Sequence, residues 1–250
     1  MSEDLFRGPA TTPAQWQQSA HLARATWITP EQLCPPGRRL IVVAPHPDDE
    51  ILACGGLLAS LRGREQDLLL ISATDGEASH PGSQQWTEHR LRRQRPQESR
   101  NALHRLGLDL QALDWQRLSL KDTAVARDEA YLVGHLGQLL RPDDLLLCTW
   151  RGDGHCDHEA VGRACAQAAQ AKGATLLEVP VWAWYWAQPE DPRLPWERAC
   201  KVQLDADAVQ RKQQAIAAHV SQIESDGERP PVLPAETLEC LMQPFELVFR

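Results

Sequence analysis

Short apolar segments recur along this chain, and they restrict its fold more than any other feature. LIVVA at 40–44, LLLIS at 68–72 and LLLC at 145–148 have almost no polar residue on either face. Such a strand is buried on both sides, which is typical of the centre of a parallel sheet. Segments with apolar residues at helical spacing separate these strands. This alternation predicts an α/β protein with helices on both faces of the sheet.

The composition changes near residue 37. Residues 1–37 are polar and interrupted by prolines, and we predict an N-terminal extension with a short helix around Pro13–Ala25. Residues 38–250 are numerous enough for a single domain with a full hydrophobic core. The predicted architecture of this domain is a Rossmann-like three-layer sandwich with a mostly parallel central sheet.

The composition also argues against several classes of partner. A net charge of −8 is unfavourable for a broad nucleic-acid surface, which requires clustered Lys and Arg. No apolar segment approaches the roughly 18 residues of a membrane span, and the N-terminus lacks the pattern of a secretory signal. The seven cysteines form no CxxC pair, which favours a reducing compartment. We therefore predict a cytoplasmic protein with no nucleic-acid partner and no membrane span.

A histidine and three acids, HPDDE at 46–50, directly follow the first buried strand. Pro47 favours an extended conformation at His46, so the imidazole leaves the strand in a defined direction. Asp48, Asp49 and Glu50 then begin a helix. Acids in a first helical turn complement the helix dipole, and Asp48 is a suitable N-cap. That interpretation leaves His46 unexplained, so a metal site is the alternative.

A second cluster, HCDH at 155–158, follows another buried strand. By itself the pair His155 and His158 is weak evidence, since histidines at this spacing also occur on surfaces. However, the carboxyl ends of parallel strands meet at one edge of a sheet, so both clusters should lie there together. Imidazole and carboxylate are preferred ligands of divalent metals such as zinc. The remaining acids and histidines would supply a base and an oxyanion stabiliser, as hydrolysis requires.

Together, APHPDDE and HCDH resemble the motifs of the LmbE-like (PIG-L) family of metal-dependent N-acetylglucosaminide deacetylases. That family has A-H-P-D-D-E after its first strand and H-x-D-H after a later one. Three further segments resemble the family, SATDGE at 72–77, RPQESRNALHRLG at 95–107 and KQQAIAAHVSQ at 212–222. The resemblance extends over most of the chain. It departs at Pro45, where alanine is commoner, and at Cys156, where proline is frequent.

The resemblance implies roles for the residues of both clusters. His46, Asp49 and His158 would bind the metal, which is usually Zn²⁺ in the family, although Fe²⁺ or another divalent ion stays open. Asp48 would be the general base that takes the proton of the attacking water. His155 would stabilise the tetrahedral intermediate or act as an acid.

Four further residues are weaker candidates for orienting a ligand or contacting substrate. Asp157 would orient one of the two histidines that flank it, His155 or His158, and Glu50 lies beside the predicted ligands. Arg95 and His219 would reach the site. Alternatively, Arg95 belongs to a solvated basic helix face, and His219 simply packs against its neighbours.

A tryptophan-rich segment, VWAWYWA at 181–187, is predicted to be the end of a long strand. Alternation would place Trp182, Trp184 and Trp186 on one face. We favour a packed core or a subunit contact for these rings, since aromatic residues are enriched at oligomer interfaces. A sugar-stacking wall and a homo-oligomer both stay open.

The predicted function is a zinc-dependent hydrolase that removes the N-acetyl group from an N-acetylglucosamine-type amino sugar or glycoconjugate and releases acetate. An amidase acting on a larger N-acyl group or conjugate would use the same chemical steps. A non-catalytic metal-binding or glycan-binding module is a further alternative, but it has no use for Asp48 beside three ligands. A metal-dependent phosphohydrolase would prefer more carboxylates and magnesium.

Overall fold

The computed structural model describes residues 10–250, whose strands form a single sheet. The strands are β1 (Thr26–Ile28), β2 (Leu40–Ala44), β3 (Leu68–Thr74), β4 (Asp114–Leu120), β5 (Leu145–Thr149), β6 (Thr175–Val179), β7 (Ala199–Gln203) and β8 (Phe245–Phe249). Their spatial order is β1-β7-β8-β6-β5-β2-β3-β4. Only β8 runs antiparallel to its neighbours β6 and β7 among these strands. The predicted mostly parallel sheet is therefore confirmed.

Helices cover both faces of this sheet. They are α1 (Pro13–Trp16), α2 (Ala20–Arg24), α3 (Pro30–Leu33), α4 (Asp49–Ser60), α5 (Glu88–Leu106), α6 (Glu129–Leu139), α7 (Cys156–Lys172), α8 (Ala183–Trp186), α9 (Ala206–Ile216), α10 (Val220–Ile223) and α11 (Ala235–Leu241). Within residues 10–250, none of them is long and apolar enough to cross a membrane.

Two hydrophobic cores lie on opposite faces of the sheet. Leu40 and Val42 of β2 share one core with residues of α4 and α5. Ile41 and Val43 point the other way, into a second core with residues of α6 and α7. This alternation follows from the two-residue period of a strand, and it explains why β2 has no polar residue. The predicted three-layer sandwich is confirmed.

The topology creates a crevice between β2 and β5. The chain passes from β2 through α4 to β3 on one side, and from β5 through α7 to β6 on the other side. Connections that diverge in this way leave an opening outside the carboxyl ends of the two central strands. Both polar clusters predicted from the sequence follow these two strands directly, so they face each other across the crevice.

The described part of the predicted N-terminal extension packs against the rest of the chain. Residues 1–9 lie outside the described residues. Strand β1 extends the sheet by pairing with β7. The Trp16 indole is buried, packs edge-on against Trp184 at a centroid distance of 4.8 Å, and donates a hydrogen bond to the Trp184 carbonyl oxygen at 3.0 Å. The helix predicted around Pro13–Ala25 is two short helices, while the division into extension and domain stays a prediction.

The tryptophan-rich segment is not the strand that its alternation suggested. Strand β6 ends at Val179, and residues 183–186 form helix α8. Pro180 has no N–H to donate to a neighbouring strand. The backbone N–H groups of residues 181–183 all donate to the carboxylate of Asp153 at 2.9 Å. Three consecutive N–H groups that converge on one side chain are incompatible with a strand, whose N–H groups point alternately to opposite sides.

Three other segments also differ from the sequence interpretation. The sequence predicts one helix over residues 207–224, but the structure has α9 and α10, between which His219 has a non-helical backbone (φ −84°, ψ 56°) and Glu98 accepts the N–H of Ser221 at 3.0 Å. Pro96 does not interrupt α5, which continues through it. The terminal segment FELVFR, interpreted as a tail, contains strand β8.

A buried ion pair holds the second half of α4. The helix is kinked at Cys54 (φ −144°). Beyond the kink, the Glu246 carboxylate accepts hydrogen bonds from the N–H groups of Gly56 (2.7 Å) and Leu57 (2.9 Å). The Lys212 ammonium lies 2.8 Å from Glu246 Oε1, and both side chains are almost fully buried. Since the helix cannot satisfy these N–H groups itself, the ion pair fixes how α4 lies on the sheet.

The Lys212→Met variant is expected to lose about 3–5 kcal/mol of unfolding free energy, because it leaves the Glu246 carboxylate buried without its cation. The double variant Lys212→Met/Glu246→Gln should recover part of this loss. Urea unfolding followed by tryptophan fluorescence measures both values. A loss below about 1 kcal/mol, as for a surface pair, would contradict this structural role.

Candidate metal centre

The structure brings together the three residues that the family resemblance implied as metal ligands. Asp49 Oδ2 lies 3.1 Å from His46 Nδ1 and 3.2 Å from His158 Nε2. All three side chains are buried. His155 joins them, since ring nitrogens of the three histidines lie within 4.8 Å of one another. Two imidazoles and a carboxylate thus converge where β2 and β5 end.

The hydrogen bonds of His158 test whether this cluster fits a metal. Its Nδ1 is 2.8 Å from Asp153 Oδ2, which fixes Nδ1 as the protonated nitrogen. Its Nε2 is buried and has no hydrogen-bond partner among residues 10–250. This nitrogen faces Asp49 Oδ2 at 3.2 Å, so an imidazole nitrogen and a carboxylate oxygen that can both bind a metal converge in a buried position. The set of two nitrogens and one carboxylate oxygen matches the ligands of catalytic zinc.

Asp153 is a functional residue that the sequence analysis missed. Its carboxylate receives the three backbone N–H groups of residues 181–183 in addition to the His158 ring. An acid that fixes the tautomer and orientation of a ligand histidine is common at metal sites. The signal was present in RGDGHCDH, where an acid precedes the histidines, but its partners lie almost thirty residues further along the chain.

The Asp153→Asn variant is expected to bind zinc about 10–100-fold more weakly, because it no longer holds His158 in the ligand tautomer. Competition with a chromophoric chelator measures the affinity. Asp144→Asn is the matched control, since Asp144 is a buried carboxylate that pairs with Arg39 at the opposite end of β5. Unchanged zinc affinity in Asp153→Asn would contradict the orienting role.

Two carboxylates hold the other side of the His46 ring. His46 Nε2 lies 3.1 Å from Asp157 Oδ2 and 3.4 Å from Asp122 Oδ1. Asp157 also accepts hydrogen bonds from the N–H groups of Thr123 (2.7 Å) and Val125 (3.1 Å), so its position is fixed. The sequence led us to expect that Asp157 orients His155 or His158, whereas its carboxylate contacts the ring of His46. Asp122 was not expected from the sequence.

Other sets of potential ligands also cluster here. One consists of His46, Asp122 and Asp157, and another of His155, Cys156 and Asp157. Cys156 Sγ lies 3.8 Å from Asp157 Oδ1. In both sets Asp157 is already committed to two backbone N–H groups. The set of His46, Asp49 and His158 leaves a buried nitrogen facing a carboxylate, and it is the better candidate.

Asp48 has a strained backbone and a fixed side chain. Its φ is +142°, a region that non-glycine residues rarely occupy. Arg95 Nη2 donates to Asp48 Oδ2 at 3.0 Å and to the Pro47 carbonyl oxygen at 2.9 Å. Arg95 Nη1 donates to the carbonyl oxygen of Gly76, where a Cβ would clash with the guanidinium. Arg95 is buried, so the interpretation as a solvated helix face is wrong.

Glu50 holds the backbone of Asp48 by a hydrogen bond. Its Oε2 accepts the Asp48 N–H at 3.1 Å, and its Oε1 accepts the Ser99 hydroxyl at 2.6 Å. Burial raises the pKa of Glu50 to about 7. Glu50 is not among the side chains that line the cavity described below. Its contacts favour a role in holding the Asp48 backbone over contact with substrate.

The hydrogen bonding of His155 shows which of its ring nitrogens can act as a donor. Its Nδ1 accepts the Asp157 N–H at 3.2 Å. Burial and the neighbouring rings of His46 and His158 lower the pKa of His155 to about 2, so the ring is neutral. A neutral imidazole whose Nδ1 accepts a hydrogen bond carries its proton on Nε2. His155 can therefore act as a hydrogen-bond donor through Nε2.

The other pKa shifts describe a site that attracts positive charge. Burial raises the pKa of Asp48 to about 7, against the opposing effect of Arg95. Burial opposes protonation of His158, but Asp49 and Asp153 outweigh it and raise the pKa of His158 to about 9. Burial also opposes ionisation of Asp49, yet His158 and His46 hold its pKa well below the usual range. A divalent ion would take the place of the protons that these carboxylates attract.

His219 lies apart from this arrangement. It is buried, and both ring nitrogens lack a hydrogen-bond partner within the described part of the chain. Burial and the charge of Arg95 lower the pKa of His219 to about 3. It does not line the cavity, whereas Gln222 of the same sequence segment does. Contact between His219 and substrate stays a prediction.

A cavity of about 590 Å³ opens above the cluster. His46, Asp48, Asp49, Arg95 and His155 all line it. Its apolar lining residues, together called the apolar wall below, are Leu52, Ala78, Pro81, Trp182, Val232 and Leu233. Of the three tryptophans predicted on one strand face, only Trp182 lines the cavity, while Trp184 and Trp186 are buried in the core.

The motif region matches one protein family. The family model described as PIG-L, GlcNAc-PI de-N-acetylase, matches residues 41–169, just over half of the chain. The match includes His46, Asp48, Asp49, His155 and His158. It ends within α7, so Trp182, Val232 and Leu233 of the apolar wall lie outside the matched range.

One curated relative is similar over a comparable length. The chain is 30% identical over 141 residues to the probable N-acetyl-alpha-D-glucosaminyl L-malate deacetylase 2 of Bacillus subtilis (strain 168). The aligned part is 53% of this chain and 61% of the relative. The chain thus spans about three fifths of the length of the curated relative that it matches.

Solved structures share the fold. A deacetylase triple mutant from the teicoplanin biosynthetic pathway superposes with a TM-score of 0.60 and 22% identity, covering 84% of this chain and 96% of that one. The N,N'-diacetylchitobiose deacetylase of Pyrococcus horikoshii superposes with a TM-score of 0.56 and 18% identity, covering 76% and 72%. At sequence identities this low, the superpositions show that the folds are similar and nothing more.

Proposed function

Because the chain belongs to the PIG-L family of GlcNAc-PI de-N-acetylases, we propose that it is a metal-dependent hydrolase acting on an N-acetylglucosamine-type amino sugar or glycoconjugate. It would remove the N-acetyl group, leaving a free amine and acetate. The observation that carries this proposal is the convergence of His46 Nδ1 and His158 Nε2 on Asp49 Oδ2, beside Asp48 in the cavity.

His46, Asp49 and His158 would hold the metal. We propose Zn²⁺, because two imidazoles and one carboxylate form a typical ligand set of catalytic zinc, although Fe²⁺ accepts the same ligands. When bound, such an ion lowers the pKa of water and polarises the amide carbonyl. Asp153 and Asp157 would keep the two imidazoles in their ligand orientations.

Asp48 is the residue best suited to take the proton of the attacking water. Arg95 donates to Asp48 Oδ2, so Oδ1 would be the oxygen that takes the proton, and Asp48 is among the residues that line the cavity. A pKa of about 7 is close to the value that suits a general base at neutral pH. The hydrogen bond from Arg95 holds the carboxylate of Asp48 in one direction, so little reorganisation would be needed during the reaction.

His155 would stabilise the oxyanion of the tetrahedral intermediate. Its Nδ1 is committed to the Asp157 N–H, so Nε2–H would be the donor, and His155 is among the residues that line the cavity. A preorganised donor in a buried site stabilises developing negative charge strongly. The proton that Asp48 takes from water would pass to the leaving nitrogen as the C–N bond breaks, which would give the free amine and acetate and return Asp48 to its ionised form.

Acetate release across a panel of N-acetylglucosaminides tests the proposed function. The panel contains free, nucleotide-linked and lipid-linked sugars, and the protein is loaded with zinc. We expect release from at least one class of substrate and none from the Asp48→Asn variant. No release from any member, with zinc confirmed in the protein, would overturn deacetylation and favour an amidase for larger acyl groups or a binding module.

Partners and location stay proposals of the same kind. We propose a small-molecule or glycoconjugate substrate. All seven cysteines are free thiols, which is consistent with a reducing compartment such as the cytoplasm. Size-exclusion chromatography with light scattering would test for a homo-oligomer.

A further inference from the structure

The apolar wall of the cavity is a feature that deacetylation alone does not require. An acetyl group is small and sugar hydroxyls are polar, yet the cavity lining includes Trp182, Val232, Leu233, Pro81 and Leu52. The cavity volume of about 590 Å³ is in the usual range for drug-sized ligands, about 300–1,000 Å³. The wall therefore offers an apolar contact to a part of the substrate beyond the reacting amide.

This wall is attached to fixed backbone on both sides. The Trp182 N–H donates at 2.9 Å to Asp153, the same carboxylate that holds the His158 ring. On the other side, the Leu233 N–H donates at 3.0 Å to the carbonyl oxygen of Gln222, another cavity residue. Leu233 is buried in the same core as Leu52. The apolar surface is thus positioned in advance relative to the metal ligands.

Outside the proposed metal site, the lining within residues 10–250 offers no free Lys or Arg side chain to an anionic substrate group. Asp48, Asp49 and Asp122 would balance the charges of a bound divalent ion and of Arg95, which is the one Lys or Arg side chain among the described lining residues. Arg95 already donates to the Asp48 carboxylate and to two backbone carbonyl oxygens. An anion that enters would lose water and find no uncommitted Lys or Arg side chain in the wall, which is unfavourable.

We propose that this cavity selects uncharged N-acyl amino-sugar derivatives that carry an apolar group, and that it discriminates against derivatives with an anionic substituent. The inference rests on the proposed function for the nature of the reacting amide. Trp182 is its main specificity-determining residue, because its ring lies in the wall while its backbone is tied to Asp153. The apolar group is part of either the aglycone or the acyl chain.

Matched ligands test this selectivity. Phenyl and 4-carboxyphenyl N-acetylglucosaminides differ by one charge, and the methyl glycoside lacks the apolar group. N-Octanoyl-glucosamine, compared with N-acetylglucosamine, places the apolar group on the acyl side. Calorimetry on zinc-loaded Asp48→Asn protein gives the dissociation constants, and acetate or octanoate release by the wild type gives kcat/KM.

We expect at least one apolar ligand to bind tenfold or more tightly than its small counterpart, and the carboxyphenyl glycoside to bind tenfold or more weakly than the phenyl glycoside. Trp182→Ala should abolish the apolar preference, whereas Trp182→Phe should retain most of it. Arg229→Gln is the control at the rim, since exposed Arg229 donates to the Pro81 carbonyl oxygen and does not line the cavity. This variant should keep the wild-type selectivity.

Three results would overturn the proposal. They are equal or tighter binding of the carboxyphenyl glycoside, no gain from either apolar group, and a preference that survives Trp182→Ala. Failure of the proposed function has a different signature. The ligands would then show the expected order of binding, but neither acetate nor octanoate would be released from any of them.

Discussion

The Asp48→Asn variant is expected to lower kcat for acetate release by about 10²–10⁴-fold, the usual contribution of a general base. Zinc should stay bound, because the proposed ligands are His46, Asp49 and His158. Asparagine also has nearly the same size and shape as aspartate, so the backbone at this position (φ +142°) should survive the change. Initial rates and zinc content, measured on the same preparations, give the result.

Asp191→Asn provides the control for Asp48→Asn. Asp191 is a buried carboxylate that pairs with Arg193 away from the cavity, and its replacement should leave the rate within about twofold of the wild type. Wild-type turnover in Asp48→Asn would show that Asp48 is not the base. Loss of zinc from this variant would instead make Asp48 a metal ligand.

The His158→Gln variant is expected to lose at least about 10³-fold in zinc affinity and all measurable turnover. His158 is fully buried between Asp49 and Asp153, and no other described nitrogen occupies its position. The thermal stability of the wild type should rise with zinc, by about 2.7 kcal/mol at a hundredfold excess over Kd. That increase should disappear in the variant, as differential scanning fluorimetry would record.

His135→Gln is the control for His158→Gln. His135 lies on α6, where its Nε2 is 3.3 Å from Gln116 Oε1, and it is outside the cavity. This variant should keep both the zinc affinity and the zinc-dependent stabilisation. If His158→Gln bound zinc as tightly as the wild type, the ligand set would have to be one of the alternatives that include Asp157.

The sequence was sufficient to predict the fold and the meeting of the two clusters, for one physical reason. His46 and His158 each follow a strand that is apolar on both faces, and parallel strands end at the same edge of a sheet. The position of each residue relative to its own strand therefore predicted their proximity in space. The family resemblance of the motifs HPDDE and HCDH then indicated metal-dependent amide hydrolysis as the chemistry.

The sequence analysis missed residues whose roles depend on loops far away in the chain. Asp153 binds backbone N–H groups at 181–183, and Asp122 is near His46 only because its loop folds over the end of β2. No local periodicity records such contacts. The same Asp153 contacts explain why the alternating tryptophans were wrongly predicted as a strand. Likewise, β8 was missed because its place between β6 and β7 is set by the whole sheet.

The central claim is that the cluster of His46, Asp49 and His158 holds one metal ion on which amide hydrolysis depends. The most direct test removes metal with a chelator and then titrates the protein with zinc while acetate release from an N-acetylglucosaminide is recorded. The account predicts no release from the metal-free protein and a rise that ends at one equivalent of zinc. Equal release with and without zinc would contradict it.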